Sequence, residues 1–154
     1  MAEFSGIRSQ LYKECLKEFP HARDEDFDAM NKYLNPKENE IILEVGAGSG
    51  FFSGIIADKC KQLIVSDPSS EQLEEVKSLN KKNIELIPLG GDKLNLQENS
   101  VDAIWSFGAL HHCFDKTNAF KNFAKILKQD GRIVIIDVFQ NTSLAKHFDE
   151  QVAK

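Results

Sequence analysis

The sequence predicts an α/β fold of three αβα layers, a mostly parallel sheet of about five strands between helices, preceded by N-terminal helices. Three observations predict it. Short apolar runs at 41–45, 62–66, 84–89, 101–107 and 132–139 alternate with segments whose apolar residues recur at three- and four-residue steps. The runs are nearly continuous in apolar residues, as strands buried on both faces require. The residues with chemistry to offer come just after the runs, at the carboxyl ends of the strands, where ligands sit in such sheets.

The elements follow in order. Phe4, Ile7, Leu11, Cys15, Leu16 and Phe19 form one face of an amphipathic helix over 3–19, which Pro20 ends. Asp24 is placed to cap a second helix carrying Phe27, Met30 and Leu34, closed by Pro36. Residues 1–36 are thus a helical segment, and 37–154 carry the sheet, within one domain overall. A strand at 41–45 runs into glycines, and 51–60 reads as a helix. After the strand at 62–66, Ser69 or Ser70 caps a helix with Leu73, Val76 and Leu79. A third strand at 84–89 leads to a polar loop, 90–100, with room for a helical turn, and then to the strand at 101–107. Asp115 caps a helix bearing Phe120, Phe123, Ile126 and Leu127, which stops at Gly131. The fifth strand spans 132–139, and Thr142 or Ser143 starts a last helix with Leu144, Phe148 and Val152.

Composition narrows the function. The 154 residues suffice for one domain with a real core, and 42% hydrophobic with 28% charged residues is ordinary for a soluble protein. A net charge of −5 gives no general basic field, which disfavours nucleic acid or an anionic membrane as main partner. No apolar run approaches the roughly 18 residues a membrane span needs, and 1–14 has no secretory pattern. Cys15, Cys60 and Cys113 are odd in number and scattered, as expected of reduced thiols in a cytoplasmic protein.

The sharpest stretch is ILEVGAGSGFFSG at 42–54. Gly46, Gly48 and Gly50 open a tight turn where a ligand can approach bare backbone. A dinucleotide site asks for G-x-G-x-x-G, with a small third residue for helix packing, but here that position holds Phe51. Glu44 would repel a pyrophosphate. It suits a ligand carrying a positive group.

EVGAGSG at 44–50 resembles the first motif of the class I S-adenosylmethionine-dependent methyltransferases, whose fold is Rossmann-like. The resemblance continues through LIVSDPS at 63–69, PLGGDKLNL at 88–96, SVDAIWSFGALHH at 100–112 and FAKILKQDGRIVIIDV at 123–138. In the last, Gln129-Asp130 stands where the family has Pro-Gly within a K-P-G-G turn. The resemblance implies S-adenosylmethionine as cofactor and S-adenosylhomocysteine as product. It implies a cofactor site of Glu44, Gly46, Ala47, Gly48, Gly50, Pro68, Gly91 and Lys93, with Asp67 at the ribose hydroxyls and Asp92 at the adenine amino group. Ser106 and Phe107 would offer backbone carbonyls near the methionine ammonium. Residues 1–36, with Tyr12, Phe19 and Arg23, would lid the cofactor. Arg23 either pairs with the methionine carboxylate or is a surface arginine. The chemistry agrees with the resemblance, because this cofactor carries an ammonium, a sulfonium, a diol and an adenine but no phosphate, and three acids past strand ends match it.

Methyl transfer mainly needs a nucleophile held close and water excluded, with a base only if the nucleophile must lose a proton. His111 and His112 follow the fourth strand. Either is a candidate base, or both only shape the pocket. With Cys113 and Asp115 they do not make a metal site, since adjacent residues rarely face one ion. Trp105-Ser106-Phe107-Gly108 stands where family members acting on base or glutamine amino groups carry N/D-P-P-Y, so a small-molecule acceptor is expected by analogy. Phe51 and Phe52 read as core or pocket wall. Two other readings are a cofactor-binding module without catalysis and, weakened by Phe51, a nicotinamide dehydrogenase.

The family's sheet has two further strands, whereas only residues 139–154 follow Val138. The fifth strand would then expose an apolar edge. Either the chain is truncated, or a second copy covers that edge in a homodimer, or the fold is reduced.

Overall fold

A computed structural model describes residues 7–138 and 142–143 of the chain. Helix α1 (Ile7–Glu18) leads to α2 (Asp24–Ala29), which widens into a π-type turn, Met30–Leu34. The rest alternates: β1 (Ile41–Val45), α3 (Ser53–Ala57), β2 (Gln62–Ser66), α4 (Ser70–Lys77), β3 (Ile84–Ile87), β4 (Val101–Phe107), α5 (Lys116–Ile126) and β5 (Leu127–Ile136). The strands form one parallel sheet in the order β3-β2-β1-β4-β5. Successive side chains of a strand point to opposite faces, so Ile42 and Leu43 enter different cores. On one face Ile42, Leu63, Val65 and Trp105 pack with Met30 and Leu34, α3 and α4. On the other, Leu43, Ile64 and Ile104 pack with Phe123 and Ile126 of α5. The three-layer α/β reading is correct, and β1, β2 and β4 have the expected bounds.

Several boundaries differ. Asp24 does not cap the second helix. Arg23 holds the N-cap position without a side-chain bond, and Asp24 is the first helical residue. That helix ends before Pro36, at Asn35, whose left-handed backbone (φ 46°) lets its amide reach the Met30 carbonyl. The helix expected over 51–60 shortens to α3, because the glycine turn continues through Phe52. The third strand stops at Ile87, since Pro88 has no amide to donate to a ladder. Gly131 is not a helix stop. The helix ends five residues earlier, where Leu127 pairs with Val101 and the Lys128 ammonium meets Asp102 at 2.7 Å. Gly131 lies inside β5, where an added Cβ would sit 2.9 Å from the Asp102 carbonyl oxygen. Ser69 rather than Ser70 caps α4, and Asp115 caps α5 by accepting the Asn118 amide at 2.8 Å.

Helix α1 forms, but its expected apolar face is largely open: Ile7, Leu11, Cys15 and Phe19 are exposed, and Tyr12 and Leu16 half-buried. Phe4, Phe139 and the last expected helix beyond Ser143 lie outside the described residues. Among the described residues no helix is long and apolar enough to cross a membrane.

At the amino ends of the strands, Arg132 of β5 locks the sheet to the segment before β1. Its guanidinium donates to both Glu40 carboxylate oxygens, at 2.7 and 2.8 Å, and to the Leu34 carbonyl at 2.6 Å. The Arg132 bond, against the opposing effect of burial, holds the Glu40 carboxyl below the usual range. Arg132→Ala is expected to cost about 2 kcal/mol, on the order of 5 °C in Tm by thermal unfolding.

Candidate functional site

The strand order reverses at β1. The chain steps outward through β2 and β3, then returns to lay β4 on the other side. The carboxyl ends of β1 and β4 therefore open onto a crevice, the usual ligand position in such sheets. A cleft of about 1130 Å³ occupies it.

From β1 the chain enters the glycine turn. Gly46 and Gly48 take positive φ, 71° and 53°, as the sharp reversal requires. The Gly46 amide donates to the Ser66 carbonyl at 2.7 Å, pinning the turn to the end of β2. Asp67 braces the same turn: one carboxylate oxygen accepts the Gly48 amide at 2.9 Å, the other the Ser69 amide at 2.8 Å. The acid thus joins the glycine turn to the start of α4 while lining the cleft.

Glu44 is the last acid of β1 and is buried. The Ser53 hydroxyl donates to it at 2.5 Å. Burial pushes its carboxyl up to about 8, an effect that Ser53 opposes and nearby Asp67 reinforces. Near pH 7 it is largely protonated in the chain alone, and a cation brought beside it would restore its charge.

Asp92 lines the cleft from a helical turn, Gly91–Lys93, after β3. Helix α5 holds that turn: Asn118 donates to the Asp92 carbonyl at 2.6 Å and Asn122 to the Gly91 carbonyl at 3.2 Å.

Arg23 comes to the cleft wall from the N-terminal segment, so it is not a free surface arginine. Its guanidinium lies 4.5 Å from the Phe107 ring centroid, and its Nε is 2.9 Å from Asp26. Below it Phe27, Phe51, Phe52 and Phe107 form a packed aromatic wall. Phe52 belongs to the core, and Phe51 and Phe52 both line the cleft.

His111 and His112 stand together on a helical turn after β4, ring centroids 3.8 Å apart. His111 Nδ1 is 2.6 Å from the Asp137 carboxylate at the end of β5. Burial, then His111 itself, pushes His112 below its usual value.

Of the residues expected in the site, Glu44, Gly46, Ala47, Gly48, Asp67, Pro68, Gly91, Asp92, Lys93, Phe107, Arg23, His111 and His112 all line this one cleft. Gly50 and Ser106 are not on its lining. Gly50 packs under α4, where a Cβ would meet Val76 at 3.0 Å, and the Ser106 hydroxyl donates to the Val45 carbonyl at 3.0 Å. Sequence reasoning missed Asp137 and the rim residue Phe114, which is 95% exposed. Position gives no usable signal for Asp137, because the expected strand runs through it to Phe139; only the end of β5 at Ile136 sets it just past a strand, as Asp67 is past β2. Among the described residues no group of three or more His, Cys, Asp or Glu could hold a metal ion.

An open parallel sheet with an acid-lined glycine cleft at its switch point is a small-molecule cofactor domain. The family described as Methyltransferase domain matches residues 43–135, and the chain belongs to it. The uncharacterised methyltransferase YcgJ of Bacillus subtilis is 27% identical over 84% of this chain and 51% of its own length. The tRNA U34 carboxymethyltransferase of Shewanella loihica is 28% identical over 79% of this chain and 39% of its own. Among solved structures, the complex between the Haloferax volcanii Trm112 methyltransferase activator and a methyltransferase superposes with a TM-score of 0.78. That match has 18% identity and covers 92% of this chain and 63% of the other. The chain thus spans about half or less of the length of these two relatives.

Proposed function

We propose that the chain is the cofactor-binding and catalytic domain of an S-adenosylmethionine-dependent methyltransferase acting on a small molecule. One observation carries this reading: Glu44, Asp67 and Asp92, from three different strand ends, line one cleft around a glycine turn. The donor set fits the cofactor. Buried Glu44, protonated in the chain alone, would take the ammonium, and Asp67 the ribose hydroxyls. Asp92 would take the adenine amino group, and Arg23 the carboxylate. The bound cofactor supplies a methyl group on a sulfonium, which passes to a nucleophile and leaves S-adenosylhomocysteine. The aromatic wall and the N-terminal segment exclude water from that exchange.

The net charge of −5 and the Trp105-Ser106-Phe107-Gly108 stretch at the end of β4 support a small acceptor rather than nucleic acid. The name of the Shewanella relative supports the contrary, an acceptor within tRNA, and added tRNA in a methyl-transfer assay decides between them. The half-length match supports one further reading, a cofactor-binding module that needs more chain to turn over. The outer side of β5 pairs with no strand among the described residues, which supports its being covered by a second copy. Light scattering would report the dimer.

The test is calorimetric titration with S-adenosylhomocysteine, with NADH alongside, on the wild type and Asp67→Ala. Micromolar binding that weakens at least about tenfold in the variant is expected, one charged hydrogen-bond acceptor being worth about 1.5–3 kcal/mol. NADH binding instead would establish the dehydrogenase.

A further inference from the structure

Two histidines stand at the cleft, and the structure treats them differently. His111 Nδ1 lies 2.6 Å from Asp137 Oδ1, and the His111 backbone amide donates to Asp137 Oδ2 at 3.1 Å. The Val138 amide donates to Asp137 Oδ1 at 2.8 Å. Three contacts from two chain segments thus fix the carboxylate, which is 9% exposed, and through it the imidazole. Lys116 adds a further tie, its ammonium 3.4 Å from the His111 carbonyl and 3.0 Å from that of Cys113. His112 has no such carboxylate among the described residues. It lies against the His111 ring, and burial, then His111, weaken it as a proton acceptor against the opposing charge of Asp137, to which it makes no hydrogen bond.

A neutral imidazole carries one ring proton. A carboxylate at Nδ1 holds that proton there and leaves the lone pair on Nε2. Among the described residues His111 Nε2 has no hydrogen-bond partner, and both His111 and Asp137 line the cleft.

We propose that Asp137 is a positioning residue that selects His111 as the base, with Nε2 receiving the proton of the methyl acceptor. The acceptor is then a neutral O–H or N–H compound. Its lone pair forms the new bond to the methyl carbon as the carbon–sulfur bond breaks toward sulfur. Its proton passes to Nε2, and the resulting imidazolium is stabilised by Asp137. An acceptor arriving as a carboxylate, a thiolate or a tertiary amine has no proton to give and no need of the pair. The proposal rests on the methyltransferase reading but can fail separately from it.

The experiment is long-range ¹H–¹⁵N correlation of histidine-labelled protein at pH 8, before and after saturation with S-adenosylhomocysteine. The His111 signals are assigned with His111→Asn. Wild type is expected to show His111 as the Nδ1–H tautomer, by about thirtyfold for a charged bond of about 2 kcal/mol. Its Nε2 signal is expected to move as the ligand fills the cleft. Asp137→Asn with its NH2 turned to Nδ1 keeps its oxygen for the His111 backbone amide and gives up the Val138 contact, since Nδ1 and the Val138 amide share Oδ1. It is expected to fold and to convert His111 to Nε2–H, while His112→Asn leaves the His111 tautomer unchanged. An Nε2–H tautomer in wild type overturns the proposal even if the variant does not fold, and so does an Nε2 signal that ignores the ligand. An Asp137→Asn tautomer unchanged from wild type reduces Asp137 to a structural brace. Ligand binding on the same samples, followed by calorimetry, separates these failures from failure of the cofactor reading.

Discussion

Gly46→Ala is expected to abolish measurable cofactor binding, a loss on the order of a hundredfold or more. Two independent costs meet at this position. The backbone is left-handed, with φ 71°, which costs an L residue roughly 1–2 kcal/mol. The added Cβ would also stand 2.2 Å from the Ala109 Cβ, far inside carbon–carbon contact. Overpacking of this kind costs typically about 1–3 kcal/mol, because something must move. Nothing nearby can move harmlessly. The turn is pinned through the Gly46 amide to Ser66 and through Gly48 to Asp67, and Ala109 lies on the segment that carries His111. Whichever side yields, the cleft changes shape. Gly48→Ala separates the two costs. Its φ is also positive, at 53°, but its Cβ would find nothing nearer than Gln72 Oε1 at 4.0 Å. It should lower stability by about 1 kcal/mol through strain alone. Titration with S-adenosylhomocysteine and thermal unfolding of both variants check the pair. Equal losses would mean that the Ala109 contact is not what makes Gly46 obligatory.

The same contact shows where a sequence stops being informative. That Gly46 starts a turn is legible, because glycines after an apolar run mark a strand end. That it also touches Ala109 is not, since the two come together only through the pairing of β1 with β4. The central strands were legible for the complementary reason. β1, β2 and β4 are buried on both faces, so nearly every position must be apolar and the runs have sharp ends. Boundaries set by tertiary partners were not. The end of α5 looks helical through Leu127, and only the pairing of Leu127 with Val101 and the Lys128–Asp102 contact turn it into strand. The open face of α1 defeats periodicity differently: the pattern makes a helix, and nothing in it says which surface the helix meets.

The site divides along the same line. Glu44, Asp67 and Asp92 could be read from position, each just past or at a strand end. Asp137 obeys the same rule only because β5 ends at Ile136, and its meaning depends on His111, 26 residues away, which only the adjacency of β4 and β5 brings to it. Asp67 carries a second role that no spacing reveals, the brace on the Gly48 amide. A variant at Asp67 therefore loosens the turn that frames the cleft as well as removing the proposed ligand contact.

Glu44 gives the largest expected effect of pH. Its carboxyl is pushed up to about 8 by burial, against an ordinary 4.5. The folded chain thus holds a proton that the unfolded chain releases in this range. The contribution to stability is fully present below about pH 4.5 and is lost as pH rises through about 8. The Tm of the chain alone should therefore fall between pH 5 and 8.5 through this group, and Glu44→Gln should flatten that part of the profile. Ligand binding reverses the preference. On the proposed reading the ammonium of S-adenosylhomocysteine lies beside Glu44 and would stabilise its carboxylate, so Glu44 would give up its proton on binding. Titrations near pH 7 in buffers of different ionisation enthalpy should show close to one proton released per ligand by wild type and none by Glu44→Gln. The variant should also bind about thirtyfold more weakly, for a lost charged pair worth about 2 kcal/mol. Proton release that persists in Glu44→Gln would move the ammonium to another acid of the cleft and leave Glu44 as a buried partner of Ser53 alone.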